Sequence, residues 1–563
     1  MKIRVEEWGI LPIDQPMNTY YLRQMLETYR NEKGVTFYFS KGTYHFYPDY
    51  AVEKLLYISN HDEDTIKKIA FDFSDFEEVS LCGEETEFIF HTDILPFYIH
   101  RCKGFNIEGI RIDYARPAYS EGEILSVAPR RMEVRIDKEK YPYYILHDRI
   151  FFKGENFCHE ITNGCLEMDG KRLAPVYEGH DIGFNRSYKQ SYHAAFKELE
   201  ENIVEITLLD ENQKFLSTSK VGNRMIFRHH MRTHPAFYIT NSQDVVCKDI
   251  IIYHCTGMAV ISQFTKNIHL EQFHILMHPE KKRIFTATAD GFHFVYCTGQ
   301  LHIKDCKLEN QLDDPVNIHG IYGRIHKKLS ETEFIVELVE GMQKGVQLGQ
   351  KGERFAILNN ETMLEEAEST LEHIEMLNRD FMYMRFSRAI VACKEGYVVE
   401  NKEYVPNVLI EGCLFRNNRA RGLLLTSAGQ VIVRKNVFQN AGAAILIEGD
   451  SNYWFESGGT NYISVCDNQF IDCAYVSDWG AAPIQVSPSA RTCVEGKRYH
   501  KYLEVKNNEF WCFDDRIMNA RHIEKIVFKD NIIHKTETFP PLSGENFVLE
   551  EVLDFIEENT IKQ

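Results

Sequence analysis

Short runs of alternating apolar and polar residues recur along most of this chain. Val246-Cys247-Lys248-Asp249-Ile250, Ile268-His269-Leu270-Glu271-Gln272-Phe273 and Leu301-His302-Ile303-Lys304-Asp305-Cys306 are clear copies. The pattern returns at Leu409-Ile410-Glu411-Gly412-Cys413, Val431-Ile432-Val433-Arg434-Lys435-Asn436 and Ile463-Ser464-Val465-Cys466-Asp467-Asn468, then from Leu503 and from Ile526. Each copy reads as a short strand running into a polar turn, often with Asn. The cleanest spacing is about 23 residues, a period typical of solenoids. The pattern predicts an all-β chain: a right-handed parallel β-helix carrying two inserted small antiparallel β-barrel-like modules.

The apolar positions Met17, Tyr21, Leu22, Met25, Leu26 and Tyr29 predict an amphipathic helix over Met17 to Arg30, followed by a strand at Thr36-Phe37-Tyr38-Phe39. Together they would cover the open end of the solenoid. The repeat is interrupted twice, so residues divide as 1–122 (cap and first coils), 123–223 (first module), 224–320 (central coils), 321–388 (second module), 389–540 (last coils) and 541–563. One short helix is expected in each module, and a helical tail from Glu545 to Glu558.

Composition narrows the class. Hydrophobic residues make up 44% and charged residues 26% of 563, ordinary for a folded protein with a large core. Eighty-three acidic against 64 basic residues give a net charge of −19, which argues against nucleic acid and against anionic membrane as partners. No apolar run is long enough for a membrane helix, and the first residues lack an apolar signal core. A cytoplasmic location is the expectation, or a secreted or periplasmic one if a signal had been removed. The fourteen cysteines include no C-x-x-C pair. Cys247, Cys306, Cys413 and Cys466 sit at matching repeat positions and read as buried thiols. His229-His230-Met231-Arg232-Thr233-His234 lacks an acidic partner at ligand spacing and reads as polar packing or a cleft rim, so neither metal nor cofactor is expected.

Candidate chemistry sits at Asp290-Gly291-Phe292-His293, followed one coil later by Asp313-Asp314-Pro315 and His319-Gly320. Residues one repeat apart stack at strand spacing, roughly 4.8 Å. Asp290 and Asp313 should therefore share a face, with Asp314 beside them, because Pro315 implies irregular backbone. Crowded carboxylates push one another's pKa apart, and glycosidic hydrolysis needs one protonated and one ionised carboxyl. Lone turn aspartates such as Asp467 are structural; the pair and its offset to Asp290 favour catalysis.

An Asp, then Asp-Asp, then His-Gly on successive coils resembles the polygalacturonases of glycoside hydrolase family 28, in part only. Thr288-Ala289-Asp290 stands where that family has Asn-Thr-Asp, and its Arg-Ile-Lys motif is not found in the expected place. The fuller resemblance is to glycoside hydrolase family 110, the α-1,3-galactosidases. It rests on Ile112-Asp113-Tyr114-Ala115-Arg116-Pro117, Asp290-Gly291-Phe292-His293, Asp313 to Gly320, and Glu448-Gly449-Asp450-Ser451-Asn452-Tyr453-Trp454-Phe455-Glu456-Ser457-Gly458. The resemblance implies inverting release of terminal α-1,3-linked galactose from an oligosaccharide or glycan, with Asp313 as general acid and Asp290 and Asp314 holding or activating water. Inversion predicts acid and base carboxyls roughly 6.5–9.5 Å apart.

Trp454 could stack on a sugar face, and Asn452 and Glu456 could bind hydroxyls. Arg419 and Arg421 end a coil near the same face and could hold a hydroxyl or a carboxylate, with His319 beside them. Arg116 with Tyr114, and Asp478 with Trp479, are candidate subsite walls. Two other readings stay open: a polygalacturonase-like hydrolase or lyase of another polymer, and a non-catalytic carbohydrate-binding solenoid. Preference between linear Galα1-3Gal and fucosylated blood-group-B-type structures is not readable, nor is oligomeric state, although an inserted module could supply a homodimer contact.

Overall fold

The computed structural model describes residues 1–563 except 62–64, 163, 186–189, 230 and 231, and the side chain of Gln190. Its core is a parallel β-helix. The strand Gln243–Ile252 pairs in parallel with Lys266–Ile275, Val246 against His269, 23 residues apart. Lys266–Ile275 pairs with Thr298–Lys304 and that strand with Pro406–Glu411. A second parallel ladder runs Phe237–Thr240, Val260–Gln263, Phe292–Val295, Val316–Ile321 and Leu423–Leu425. Alternate residues of both ladders point into one interior, where Cys247, Phe273, Leu308, Val316 and Phe438 are fully buried.

Identical side chains stack coil upon coil. Phe438, Phe470 and Phe510 lie ring on ring at 5.0 and 4.6 Å. The turn asparagines form a buried ladder: Asn436 Nδ2 donates to Asn468 Oδ1 at 3.0 Å, Asn468 to Asn508 at 3.0 Å and Asn508 to Asn531 at 3.1 Å. An amide carries both a donor and an acceptor, so one asparagine per coil continues such a chain indefinitely. All fourteen cysteines are free thiols, and Cys306, Cys413 and Cys466 lie buried with Cys247.

The helix Met17–Tyr29 buries Leu22, Met25 and Leu26 over the first coil. Among the described residues no helix is long and apolar enough to cross a membrane. The expected helical tail is corrected: Phe547–Glu550, Asp554–Glu558 and Ile561–Lys562 are strands, and Phe555 pairs with Ile526. The exposed edge of the preceding coil offers a full row of backbone partners, and that ladder outweighs local helical spacing.

Two antiparallel modules interrupt the coils. The first contains strands from Tyr119–Ala128 to Arg224–Arg228 and, contrary to expectation, no helix among its described residues. The second is a closed barrel whose first strand is Gly323–Lys328 and whose closing strand is Val398–Asn401. It therefore runs past the expected boundary at 388, and its helical content is a single 3-10 turn, Gly341–Gln343. The first module leaves after the strand Lys103–Tyr114 and rejoins at Phe237–Thr240, two coils before Phe292–Val295. The barrel leaves directly after Val316–Ile321, the strand that Asp313 and Asp314 precede.

Candidate active site

Strand register determines what meets here. Phe292 pairs with Val316, so the residues just before these strands lie over one another. Gly291 N–H donates to the Asp314 carbonyl at 2.8 Å, and Ala259 N–H to the Asp290 carbonyl at 3.0 Å. A Cβ on Gly291 would sit 2.6 Å from the Pro315 carbonyl, so this close coil approach requires glycine. Asp313 and Asp314 lie in irregular backbone ahead of the strand, which lets neighbouring residues face the same way. Carboxylate oxygens of Asp290, Asp313 and Asp314 all fall within 4.8 Å of one another. The trio gathers as the repeat predicts. Its spacing is tighter than the roughly 6.5–9.5 Å expected of an inverting acid–base pair, which is a correction to that expectation.

Arginines surround the trio. Arg232 and Arg419 both donate to Asp313, Arg419 Nη1 at 3.1 Å. Arg419 is itself held by Asp181, through Nε at 2.9 Å, and Arg228 reaches the same carboxylate at 3.1 Å. The Arg421 backbone N–H and guanidinium donate to the two oxygens of Asp314 at 2.7 and 2.8 Å. Asp313 is the most open of the three, its side chain 11% exposed against 4% for Asp290 and 3% for Asp314. Arg232 and Arg421 form the more open rim. A cavity of about 170 Å³ lies elsewhere, lined by Gly320, Glu400, Ser457 and Tyr499, and contains none of the aspartates.

The hydrogen-bond chain indicates where the proton rests. His319 Nδ1 donates to the Gly320 carbonyl at 2.6 Å, which leaves Nε2 as an acceptor. His293 Nε2 stands 2.7 Å from that nitrogen and must donate to it. With both rings read as neutral imidazoles, His293 Nδ1 is an acceptor, and Asp290 Oδ2 at 2.6 Å must carry the hydrogen. Burial points the same way. It keeps the His293 pKa well below its usual value, and it raises Asp290 to about 7, with Asp313 adding repulsion. Asp313 is lowered despite its burial, because Arg232 and Arg419 favour its charge. Burial pushes Asp314 up to about 8 against the pull of Arg421. Both Asp314 oxygens accept from Arg421, so the ionised form is the one its geometry satisfies. This hydrogen-bond geometry suits a proton on Asp290 and charge on Asp313 and Asp314, each of which accepts from arginine.

Glu456 joins the site through strand pairing. Glu456–Ser457 pairs antiparallel with Ile321 and Gly320, so the segment 448–458 folds back onto the strand Val316–Ile321. Glu456 lies 3.4 Å from His319 Nε2 and accepts from Asn60 at 3.0 Å and Asn317 at 3.4 Å. Glu448, raised to about 7 by burial, interacts electrostatically with Arg421 and Asp314. Asn452 binds Ser489 at 3.0 Å and thereby braces the segment; its amide is engaged away from the aspartates. Trp454 is half-buried, its carbonyl held by Gln343 of the barrel turn at 3.1 Å. Asp478 pairs with His180, and Arg419 lies over the Trp479 ring at 5.4 Å.

Arg116 requires a correction. Its guanidinium donates to the Lys153, Pro117 and Tyr119 carbonyls and to Ser120 Oγ, and packs on Tyr141. It pins the first module to its coil and forms no subsite wall. Of the histidine-rich segment, His230 and Met231 lie outside the described residues, and His229 binds Ser120 and stacks on Phe152, as polar packing would. Arg232, on Asp313, and Asp181, on Arg419, join the cluster without having been expected there. Asp181 belongs to the first module and Arg232 follows its last strand, so no repeat spacing in the sequence marks either.

Residues 120–223 match the family model described as GLAA-B beta-barrel domain I. Over 544 residues the chain is 29% identical to an alpha-1,3-galactosidase B of Bacteroides thetaiotaomicron, covering 96% of this chain and 87% of that protein. It is 26% identical over 541 residues to an alpha-1,3-galactosidase A of Shewanella woodyi, with coverage of 96% and 86%. Among solved structures, an exopolygalacturonase of Thermotoga maritima aligns over 100% of this chain and 92% of that chain, at 12% identity and a TM-score of 0.45.

Proposed function

We infer that this chain, which belongs to glycoside hydrolase family 110 with these α-1,3-galactosidases, is an exo-acting hydrolase that releases terminal α-1,3-linked galactose. The observation that carries the reading is the gathering of Asp290, Asp313 and Asp314 on adjacent coils, with arginines on Asp313 and Asp314 and a histidine on Asp290. Glycosidic cleavage needs one protonated and one ionised carboxyl.

Asp313 is our candidate for protonating the leaving oxygen, because it is the most exposed of the three. It must first take up a proton, and Asp290 stores one within 4.8 Å. A sugar seated on Asp313 excludes water from Arg232 and Arg419 and brings an oxygen to which that proton can pass. Asp314, ionised and oriented by Arg421, then acts with Asp290 on the attacking water. Arg421 and Glu456, both partly open to solvent, are the groups we assign to sugar hydroxyls.

Inversion is the finer part of the proposal. What supports it is the number of carboxyls: one donor and two groups for a single water. The short separation favours a second reading, since roughly 5–5.5 Å suits a retaining pair. Incubation with Galα1-3Gal, followed by proton NMR, separates them. Release of β-galactose as the first-formed anomer is the expected result. First-formed α-galactose would make the enzyme retaining, and no galactose at all would overturn the assignment.

A further inference from the structure

Far from the aspartates in sequence, four segments converge on a second cluster. Asp14 precedes the cap helix, His45 lies on the strand Gly42–Phe46, and His91 follows the strand Glu77–Phe90. Ile89 pairs with His45, and His91 N–H donates to the Phe46 carbonyl at 3.1 Å, so the two rings lie side by side on adjacent coils. His45 Nδ1 stands 2.9 Å from His91 Nε2 and 3.7 Å from Asp14 Oδ1, and the three ligand atoms fall within 4.8 Å of one another. A tetrahedral zinc with bonds of roughly 2.0–2.2 Å needs its ligand atoms about 3.3 Å apart.

The surrounding groups aim these atoms. His91 Nδ1 donates to Glu155 of the first inserted module at 2.6 Å, which fixes the tautomer and turns the Nε2 lone pair inward. A carboxylate on the far nitrogen of a histidine is the usual support for a metal-binding imidazole. Tyr47 stacks on His91 at 3.7 Å and donates its hydroxyl to Asp14 at 2.6 Å. Two imidazoles and a carboxylate suit zinc; calcium and magnesium prefer oxygen alone.

We propose that Asp14, His45 and His91 form a zinc site, with Glu155 as the outer partner of His91 and a water in the fourth position. On binding, neutral His45 moves its hydrogen from Nδ1 to Nε2 and the metal takes the vacated lone pair, with no net proton released. The metal joins the cap to two coils and, through His91, to the first module. Its role is structural.

The test uses tag-free, full-length protein stripped with chelator. Retention of one zinc per chain after gel filtration, with a melting temperature raised by a few degrees by zinc chloride, is the expected result. Calcium and magnesium chlorides should leave melting unchanged. Cobalt should give the visible absorption of a tetrahedral site. His45→Gln and His91→Gln should abolish zinc retention, and Glu155→Gln should weaken it about 10–100-fold. Asp14→Asn, at a side chain 61% exposed, leaves the fold intact and should remove the cobalt absorption. Absence of zinc uptake by the parent protein, or an unchanged cobalt spectrum in Asp14→Asn, would overturn the site.

Discussion

Asp290 keeps its proton because the surroundings provide acceptors and little water. Its pKa stands near 7 in the fold, against an ordinary value of 3.8. Between those values the unfolded chain loses the proton and the folded chain retains it, so stability falls as pH rises through that window and levels off above about 7. Asp290→Asn keeps a donor toward His293 and removes this penalty. It should raise the melting temperature at pH 8 by an amount worth up to a few kcal/mol, on the order of 1.4 kcal/mol per pH unit, and by little at pH 4. Equal effects at both pH values would contradict the protonation scheme. Loss of the shared proton should also reduce kcat/KM as pH rises through about 7. Asp313→Asn should lower kcat by at least about 10²–10⁴ while the circular dichroism spectrum stays that of the parent. The aspartates were legible because a 23-residue period places residues on a face by counting. Arg232, Asp181 and the role of Arg116 were not, since they depend on how an inserted module docks.

At the scale of the element, the asparagine ladder does what sequence alone hints at through turn composition. Asn468 donates to the Val433 carbonyl and to Asn508, and its oxygen accepts the Asn436 backbone and side-chain N–H groups. Asn468→Ala would leave several of these buried groups unpaired at about 1–3 kcal/mol each. A loss of about 3 kcal/mol or more in urea unfolding is expected, and a change below 1 kcal/mol would show that the ladder stabilises little. The tail illustrates the opposite limit of legibility. Leu549, Val552 and Phe555 fall at helical spacing, yet the ladder partner that determines their state lies in the preceding coil. Periodicity reports which face is apolar; it says nothing of an unpaired edge elsewhere.

Across the whole molecule, the coils supply the three aspartates with Arg419 and Arg421, and the first insertion adds Asp181 and Arg228. The Asp313–Asp314 turn leads into the strand Val316–Ile321, and the barrel follows at once with Gly323–Lys328. The first module ends in Arg224–Arg228, just ahead of Arg232. The charge of the aspartate cluster is therefore settled between two bodies, the coils and the first module with the segment that follows it. This explains why four arginines and an aspartate from distant segments are needed to settle the charge of three carboxyls.

The barrel also separates neighbours. Gly299 pairs with Pro406, although every residue of the barrel lies between them in the chain. In an uninterrupted solenoid, folding can spread from coil to coil by local steps. Here that propagation must stop and wait for a distant strand to return, and such long-range closure is slow. Refolding followed by hydrogen exchange should thus protect the amides of the strand Gln430–Arg434 and its successors as one group and those of Gln243–Ile252 as another. The seam between them, at Gly299 and Pro406, should be the last backbone pairing to form.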